Sequence, residues 1–174
     1  MAIAKSSSEE AQSGLPLTVD FTEDQSWSPL NDGVMGGLSE GRIQWAEGLN
    51  WQGRTRLENN GGFSSVRSPW SSYDLSGLKQ IVVRCKGTGG PFKLTMERSQ
   101  RWWMPYIYGS FSPSEAWQDL IIDVSDLKWS QAFTGDFEAV PIEQSMGGVI
   151  RLGFMKYDGT AQPFALEVAS IRFE

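Results

Sequence analysis

The sequence predicts an all-β sandwich or jelly roll. Three observations carry that expectation. Apolar residues recur with a period of two, turn residues punctuate the chain roughly every 8–12 positions, and no amphipathic helix of about ten residues stands out. Taken in order, Met1–Pro16 (MAIAKSSSEEAQSGLP) reads as a largely disordered tail, and Leu17–Glu174 as one β-sandwich domain of about eight to ten short strands. Ile43–Trp51 reads as a strand pair, or as one strand bulged at Gly48. Gly53–Glu58 and Phe63–Arg67 flank Asn59-Asn60-Gly61-Gly62, where Asn-Gly tolerates the positive φ angles of a type I′ turn and predicts a hairpin.

The centre of the chain alternates more cleanly. In Lys79–Lys86, Ile81, Val83 and Cys85 share a face; in Phe92–Ser99, Phe92, Leu94 and Met96 oppose Lys93, Thr95 and Glu97. The compact run Gly87-Thr88-Gly89-Gly90-Pro91 between them predicts a second hairpin. Ser112-Pro113-Ser114-Glu115 resembles a capping box with proline at its first helical position, and predicts a single turn before Trp117. Trp117–Val124 places Leu120, Ile122 and Val124 on one side, and Ser125–Lys128 suits another turn. Val149–Lys156 and Phe164–Ser170 flank Asp158-Gly159, a third hairpin signal.

Composition removes much familiar enzymology. The 174 residues carry 15 Lys plus Arg against 21 Asp plus Glu, a formal charge of −6, which disfavours nucleic acid and other polyanions. Histidine is absent, and with it the commonest general base and metal ligand. Cys85 is the single cysteine, so neither an internal disulfide nor a multi-cysteine zinc site can form. The tail has no apolar run of a secretory signal, and no stretch approaches the roughly 20 apolar residues of a membrane span. A cytoplasmic location without integral membrane insertion is the expectation.

Catalytic motifs are weak. Gly87-Thr88-Gly89 lacks a following helix, and Pro91 has no amide to offer a phosphate, so it reads as a turn. Glu97, Asp119, Asp123 and Glu167 are the carboxylates at outward strand positions, and nothing pairs any two of them across a cleft. Asp20, Asp24 and Asp74 are the residues able to join backbone carbonyls around a structural calcium, although no EF-hand run is present. No catalytic residue, metal ligand or cofactor is assigned.

The chain is instead rich in rings, with eight Trp, nine Phe and four Tyr. Arg98–Phe111 (RSQRWWMPYIYGSF) concentrates them beside arginine, the pairing common at interface hot spots and on sugar-stacking surfaces. Trp102 and Trp103 would face opposite ways on a strand, one ring toward the core and the other outward. Arg98, Arg101, Trp102, Trp103, Tyr106 and Tyr108 are therefore the candidate partner-binding residues, with filling of the core as the structural alternative.

Two glycine-rich segments complete the pattern. NDGVMGGLSEGRI at Asn31–Ile43 and LENNGGFSSVRS at Leu57–Ser68 resemble the family of complex I intermediate-associated protein 30. DLSGLKQIVVRCKGTGGPFKL at Asp74–Leu94, Trp117 ahead of its strand, IRLGFM at Ile150–Met155 and PFALEVASI at Pro163–Ile171 follow the same order. The resemblance spans nearly all of Leu17–Glu174. It implies a galactose-binding-like jelly-roll β-sandwich and a non-catalytic role. The mitochondrial members are assembly factors for respiratory NADH dehydrogenase, and related domains act in photosystem biogenesis. The implied partners are protein subunits of a membrane complex under assembly. A carbohydrate-binding module on the same fold is the alternative, with Asn31, Asp32, Asn59 and Asn60 as suitable hydrogen-bonding groups. The motif residues Asn31, Asp32, Gly33, Met35, Gly36, Gly37, Asn59, Asn60, Gly61, Gly62 and Phe63 are expected to be mainly architectural, through close packing and satisfaction of buried backbone groups.

Overall fold

A computed structural model describes residues 14–23, 26–31, 37–131, 135–137 and 140–174. Two antiparallel sheets face each other. The six-stranded sheet runs β3 (Glu40–Trp45), β4 (Leu49–Arg54), β13 (Pro163–Phe173), β6 (Gln80–Thr88), β9 (Gln118–Asp123), and β1 (Leu17–Asp20) pairs with the C-terminal part of β13. The seven-stranded sheet runs β11 (Gly135–Phe137), β10 (Lys128–Gln131), β8 (Tyr106–Phe111), β7 (Phe92–Glu97), β12 (Arg151–Lys156), β5 (Ser64–Arg67), β2 (Ser28–Asn31). The expected galactose-binding-like jelly-roll sandwich is the observed architecture. Thirteen strands are present among the described residues, more than expected, because short strands such as β2 and β11 lack a readable alternation.

Period-two patterning decides what is inside. Ile81, Val83 and Cys85 point inward from β6, and Phe92, Leu94 and Met96 point inward from β7. Leu166, Val168, Ile171 and Phe173 line the long β13, and Leu152 and Phe154 line β12. Trp51 is the hub of one ring cluster, 4.8 Å edge-on to Phe164 and 5.8 Å from Phe92. Phe21 and Trp27 close the other end, 4.8 Å apart, with Phe154 5.5 Å from Trp27. Each such side chain contributes roughly 1.5–3 kcal/mol on burial. Leu120 and Val124 flank the buried Ile122 as the alternation predicts. Burial pushes the Cys85 thiol up to about 12, so it serves as a small core residue.

The strand reading holds and the three hairpin readings do not. β6 and β7 are joined by Gly89-Gly90-Pro91, yet they belong to opposite sheets; so do β4 and β5, and β12 and β13. Each connection crosses the sandwich. The Asn59 segment is a 3-10 turn at Glu58–Asn60 with Asn59 at φ 57°, not a two-residue type I′ hairpin. Only β3 and β4 form an expected pair, registered Trp45↔Leu49 to Glu40↔Arg54, with Ala46 N–H donating to Gly48 O at 3.1 Å. The capping-box segment Ser112–Glu115 forms no helical turn. Its Ser114 carbonyl accepts from Gly87 N–H at 2.8 Å and so is spent on strand β6. Val124–Asp126 is the expected turn, its Asp123 carboxylate accepting from Ser125 N–H at 2.9 Å. Residues 1–13 of the expected tail lie outside the described residues, while Leu15 packs on the core.

Candidate binding face

Alternation that sends Phe92, Ile107 and Leu152 inward sends a polar and aromatic set outward from the seven-stranded sheet. Register then aligns it in rows. Tyr106, Glu97 and Arg151 stand side by side, as do Tyr108, Thr95, Gly153 and Arg67. Arg151 grips Glu97 with two nitrogens, and its Nη2 donates to Oε1 at 2.8 Å. The Trp70 ring lies over the same guanidinium, 3.8 Å from Cζ, a close cation–π contact. Tyr108 donates its hydroxyl to the Asp136 carboxylate, with oxygens at 2.7 and 2.8 Å. Lys93 Nζ sits 4.4 Å from the Tyr108 ring and 5.7 Å from that of Tyr157. Burial, then the Asp136 hydrogen bond, raises the Tyr108 hydroxyl; burial raises that of Tyr106.

Arg67 crosses the middle of this face. It lies over Gly153, where an added Cβ would stand 3.5 Å from Arg67 Cγ and 2.8 Å from Thr95 Oγ1. The guanidinium is half-buried and burial lowers its pKa, opposed by the nearby Glu97 charge. A depression of about 560 Å³ adjoins one edge, lined by Lys128 and Asp136 together with Phe137, Val140 and Pro141.

The rim at one end is the connection from Glu97 to Tyr106. Trp102 and Trp103 both sit outside the core, 62% and 49% exposed, with their rings edge-on at 5.9 Å. The expectation that one ring enters the core is therefore corrected. A turn closed by Met104 N–H on Arg101 O at 3.0 Å replaces the extended strand that would have split the two rings. Gln131 Nε2 donates to Trp103 O at 3.1 Å and ties the loop to β10. Arg98 and Arg101 are exposed on this loop, and the Arg98 guanidinium lies near Gly148. Tyr106 and Tyr108, two residues apart, point the same way from β8 with ring centres 6.3 Å apart, but Tyr106 is half-buried and Tyr108 is covered by its neighbours. The six candidate binding residues thus fall on one loop and the strand it feeds. The reading missed Arg67, Trp70, Lys93, Asp136, Arg151 and Tyr157, which are distant in sequence. Alternation marked Lys93 as outward but not which strands would stand beside it.

The glycine-rich motifs lie at the other end. Asn31 Oδ1 accepts from the buried Ser64 Oγ at 2.6 Å, and its Nδ2 donates to Gly41 O at 3.2 Å, joining the two sheets. Gly37 lies in the irregular segment just before β3, Gly61 N–H donates to Glu58 O at 3.0 Å, and Gly62 takes φ 102°, which favours glycine. Phe63 packs edge-on to Tyr157, ring centres 6.1 Å apart. Asp32, Gly33, Met35 and Gly36 lie outside the described residues, as does Asp24. Of the suggested sugar-site groups Asn31, Asp32, Asn59 and Asn60, Asp32 lies outside the described residues and Asn31 is committed to Ser64 and Gly41.

The outward carboxylates have local partners. Glu97 holds Arg151, Asp119 approaches Arg84 at 3.5 Å, Asp123 caps Ser125, and Glu167 meets Lys86 at 3.1 Å and Asn50 at 3.0 Å. Asp20 and Asp74 accept from the backbone N–H two residues ahead. Among the described residues no three His, Cys, Asp or Glu side chains gather as a metal site, and no helix is long and apolar enough to cross a membrane.

Solved structures place the fold. A family 11 carbohydrate-binding module from Clostridium thermocellum, in complex with a β-1,3-1,4-mixed-linked tetrasaccharide, superposes with a TM-score of 0.58 at 15% identity. The match covers 89% of this chain and 92% of that one. The family 11 module of a Clostridium thermocellum cellulosomal cellulase gives 0.58 at 14% identity, covering 91% of each. A family 30 carbohydrate-binding module gives 0.51 at 16%, covering 91% of this chain and 88% of that one. No curated protein matches the sequence. Residues 19–168, most of the chain, match complex I intermediate-associated protein 30, and the chain belongs to that family.

Proposed function

We propose that this domain is a non-catalytic assembly factor that binds protein subunits of a respiratory NADH dehydrogenase or photosynthetic membrane complex before they are complete. The observation that carries the reading is the Trp102–Trp103 rim: two adjacent indoles held outside the core on a short turn, beside Arg98 and Arg101. Family membership supports the assembly context. Rings on a rigid sheet lose little conformational freedom on binding and bury large areas. The reading needs no cofactor, no nucleic acid and no integral membrane insertion, and it places the domain in the cytoplasm, delivered to a membrane by its partner. Affinity capture from the host's membrane fraction tests it. Wild-type protein is expected to retain NADH dehydrogenase or photosystem subunits, and the Trp102→Ala, Trp103→Ala variant to lose them with its fold intact. Equal capture by both removes the rim from the account.

A second reading is carbohydrate binding on the same sheet face. It is favoured by the half-buried Tyr106 set among hydrogen-bonding side chains, on a fold shared with a tetrasaccharide-bound module. Titration with neutral glucans decides it, because the assembly reading expects no binding at millimolar sugar.

A further inference from the structure

Arg67 is the anomaly of the binding face. The residue is half-buried in the middle of the sheet, and among the described residues its guanidinium makes no hydrogen bond or ion pair. Desolvating a guanidinium without an acceptor is costly, and burial accordingly lowers its pKa. The carboxylate whose charge acts on it, Glu97, is held by Arg151 through two hydrogen bonds. Gly153 leaves the space that lets Arg67 lie across β12 into this position; a Cβ there would crowd Thr95 Oγ1 at 2.8 Å and Val66 O at 3.0 Å. The site keeps five donors near one another, and the described residues supply them with no acceptor.

The charge around Arg67 points the same way. The chain carries −6 overall, yet this face sets Arg67, Lys93, Lys128 and Arg151 against Glu97 and Asp136, with Asp158 at the far end engaged by the buried Lys156. Exposed Arg98 and Arg101 extend the positive character to the rim. We propose that the centre of this face is a carboxylate receptor, and that its occupant is an acidic segment of the polypeptide partner, with one carboxylate seated on Arg67. The inference rests on the protein-binding reading given above. A planar guanidinium fork matches a carboxylate with two parallel hydrogen bonds. Glu97 and Asp136 on the same surface penalise a doubly charged phosphate more than a single carboxylate. The contiguous tryptophan rim suits a chain that carries apolar side chains next to its acidic ones.

The probe is a short peptide alternating glutamate and serine, with its glutamine counterpart, titrated into the full chain by calorimetry. A galacturonate oligomer is a separate arm. Wild-type protein is expected to bind the glutamate peptide, more weakly as salt rises, and to ignore the glutamine peptide. Arg67→Gln is expected to weaken binding at least about tenfold. Arg67→Lys should fall between, since charge remains and the fork is lost. Arg42→Gln, on the opposite sheet, should match wild type. Thermal unfolding of each variant separates loss of the receptor from loss of the fold. No peptide binding by wild type, equal binding by Arg67→Gln, or binding of the galacturonate oligomer alone each overturns the proposal. Should the peptide fail while subunit capture still depends on Trp102 and Trp103, the carboxylate claim falls and the assembly reading stands. Peptide binding through Arg67 without any subunit capture gives the reverse.

Discussion

Lys156 shows how one residue can be both costly and necessary. Alternation on β12 carries it inward beside Leu152 and Phe154, and its side chain is fully buried. Asp158, two residues on, turns back to meet the ammonium and accepts from Thr160 Oγ1 at 2.6 Å. Burial pushes the Asp158 carboxyl up, but the Lys156 and Thr160 hydrogen bonds and the Lys156 charge together hold it below the usual aspartate range. A depressed folded-state pKa contributes stability above the unfolded value and loses it as pH falls through the folded one. Urea unfolding between about pH 5 and pH 2 should therefore show stability decline on the acid side, and Asp158→Asn should flatten that limb. At neutral pH, Asp158→Asn is expected to cost about 2–3 kcal/mol by leaving a buried ammonium uncompensated, whereas Lys156→Met costs less. The reverse order would contradict this account of the pair. Gly153→Ala is a second residue-scale test. Crowding Thr95 and the Val66 carbonyl should cost about 1–3 kcal/mol in thermal unfolding, and should displace Arg67 as well.

Elements were more legible than their connections. Ile81, Val83 and Cys85, or Phe92, Leu94 and Met96, announce strands because a half-buried strand must alternate. Turn chemistry at Gly89-Gly90-Pro91 and Asp158-Gly159 announces reversals. Neither signal says whether the returning strand pairs beside its predecessor or crosses to the facing sheet, since glycine and asparagine serve both. The choice depends on partners far away in sequence, such as β13 for β4 and β12 for β5. The binding face was half-legible for the same reason. Tyr106 and Tyr108 belong to one ring-rich segment, while Arg67 and Arg151 reach them only through register. Two variants separate the elements by role. Asn31→Ala breaks the contact between sheets and leaves Ser64 Oγ without its acceptor, at an expected cost of about 1–2 kcal/mol. Trp102→Ala with Trp103→Ala should change stability by only about 0.5 kcal/mol, because both rings lie outside the core. A large loss of stability in that double variant would make the rim structural.

At the scale of the whole molecule, the two sheets present different outer surfaces. Beyond the core, the six-stranded sheet pairs its charges across strands, Arg84 with Asp119 and Lys86 with Glu167, and holds a depression of about 770 Å³ near Arg42, Arg54 and Gln162. The seven-stranded sheet gathers rings, a guanidinium with no hydrogen-bond partner among the described residues, and an exposed tryptophan rim. Under the proposed assembly role, a face with charged steering and a small aromatic centre suits transient client binding. The most direct test is hydrogen exchange of the domain alone and in complex with a captured subunit. The account predicts new protection over residues 98–105 and the adjoining strands β7, β8 and β12. Protection confined to β3, β4 and β9 of the opposite sheet would contradict it.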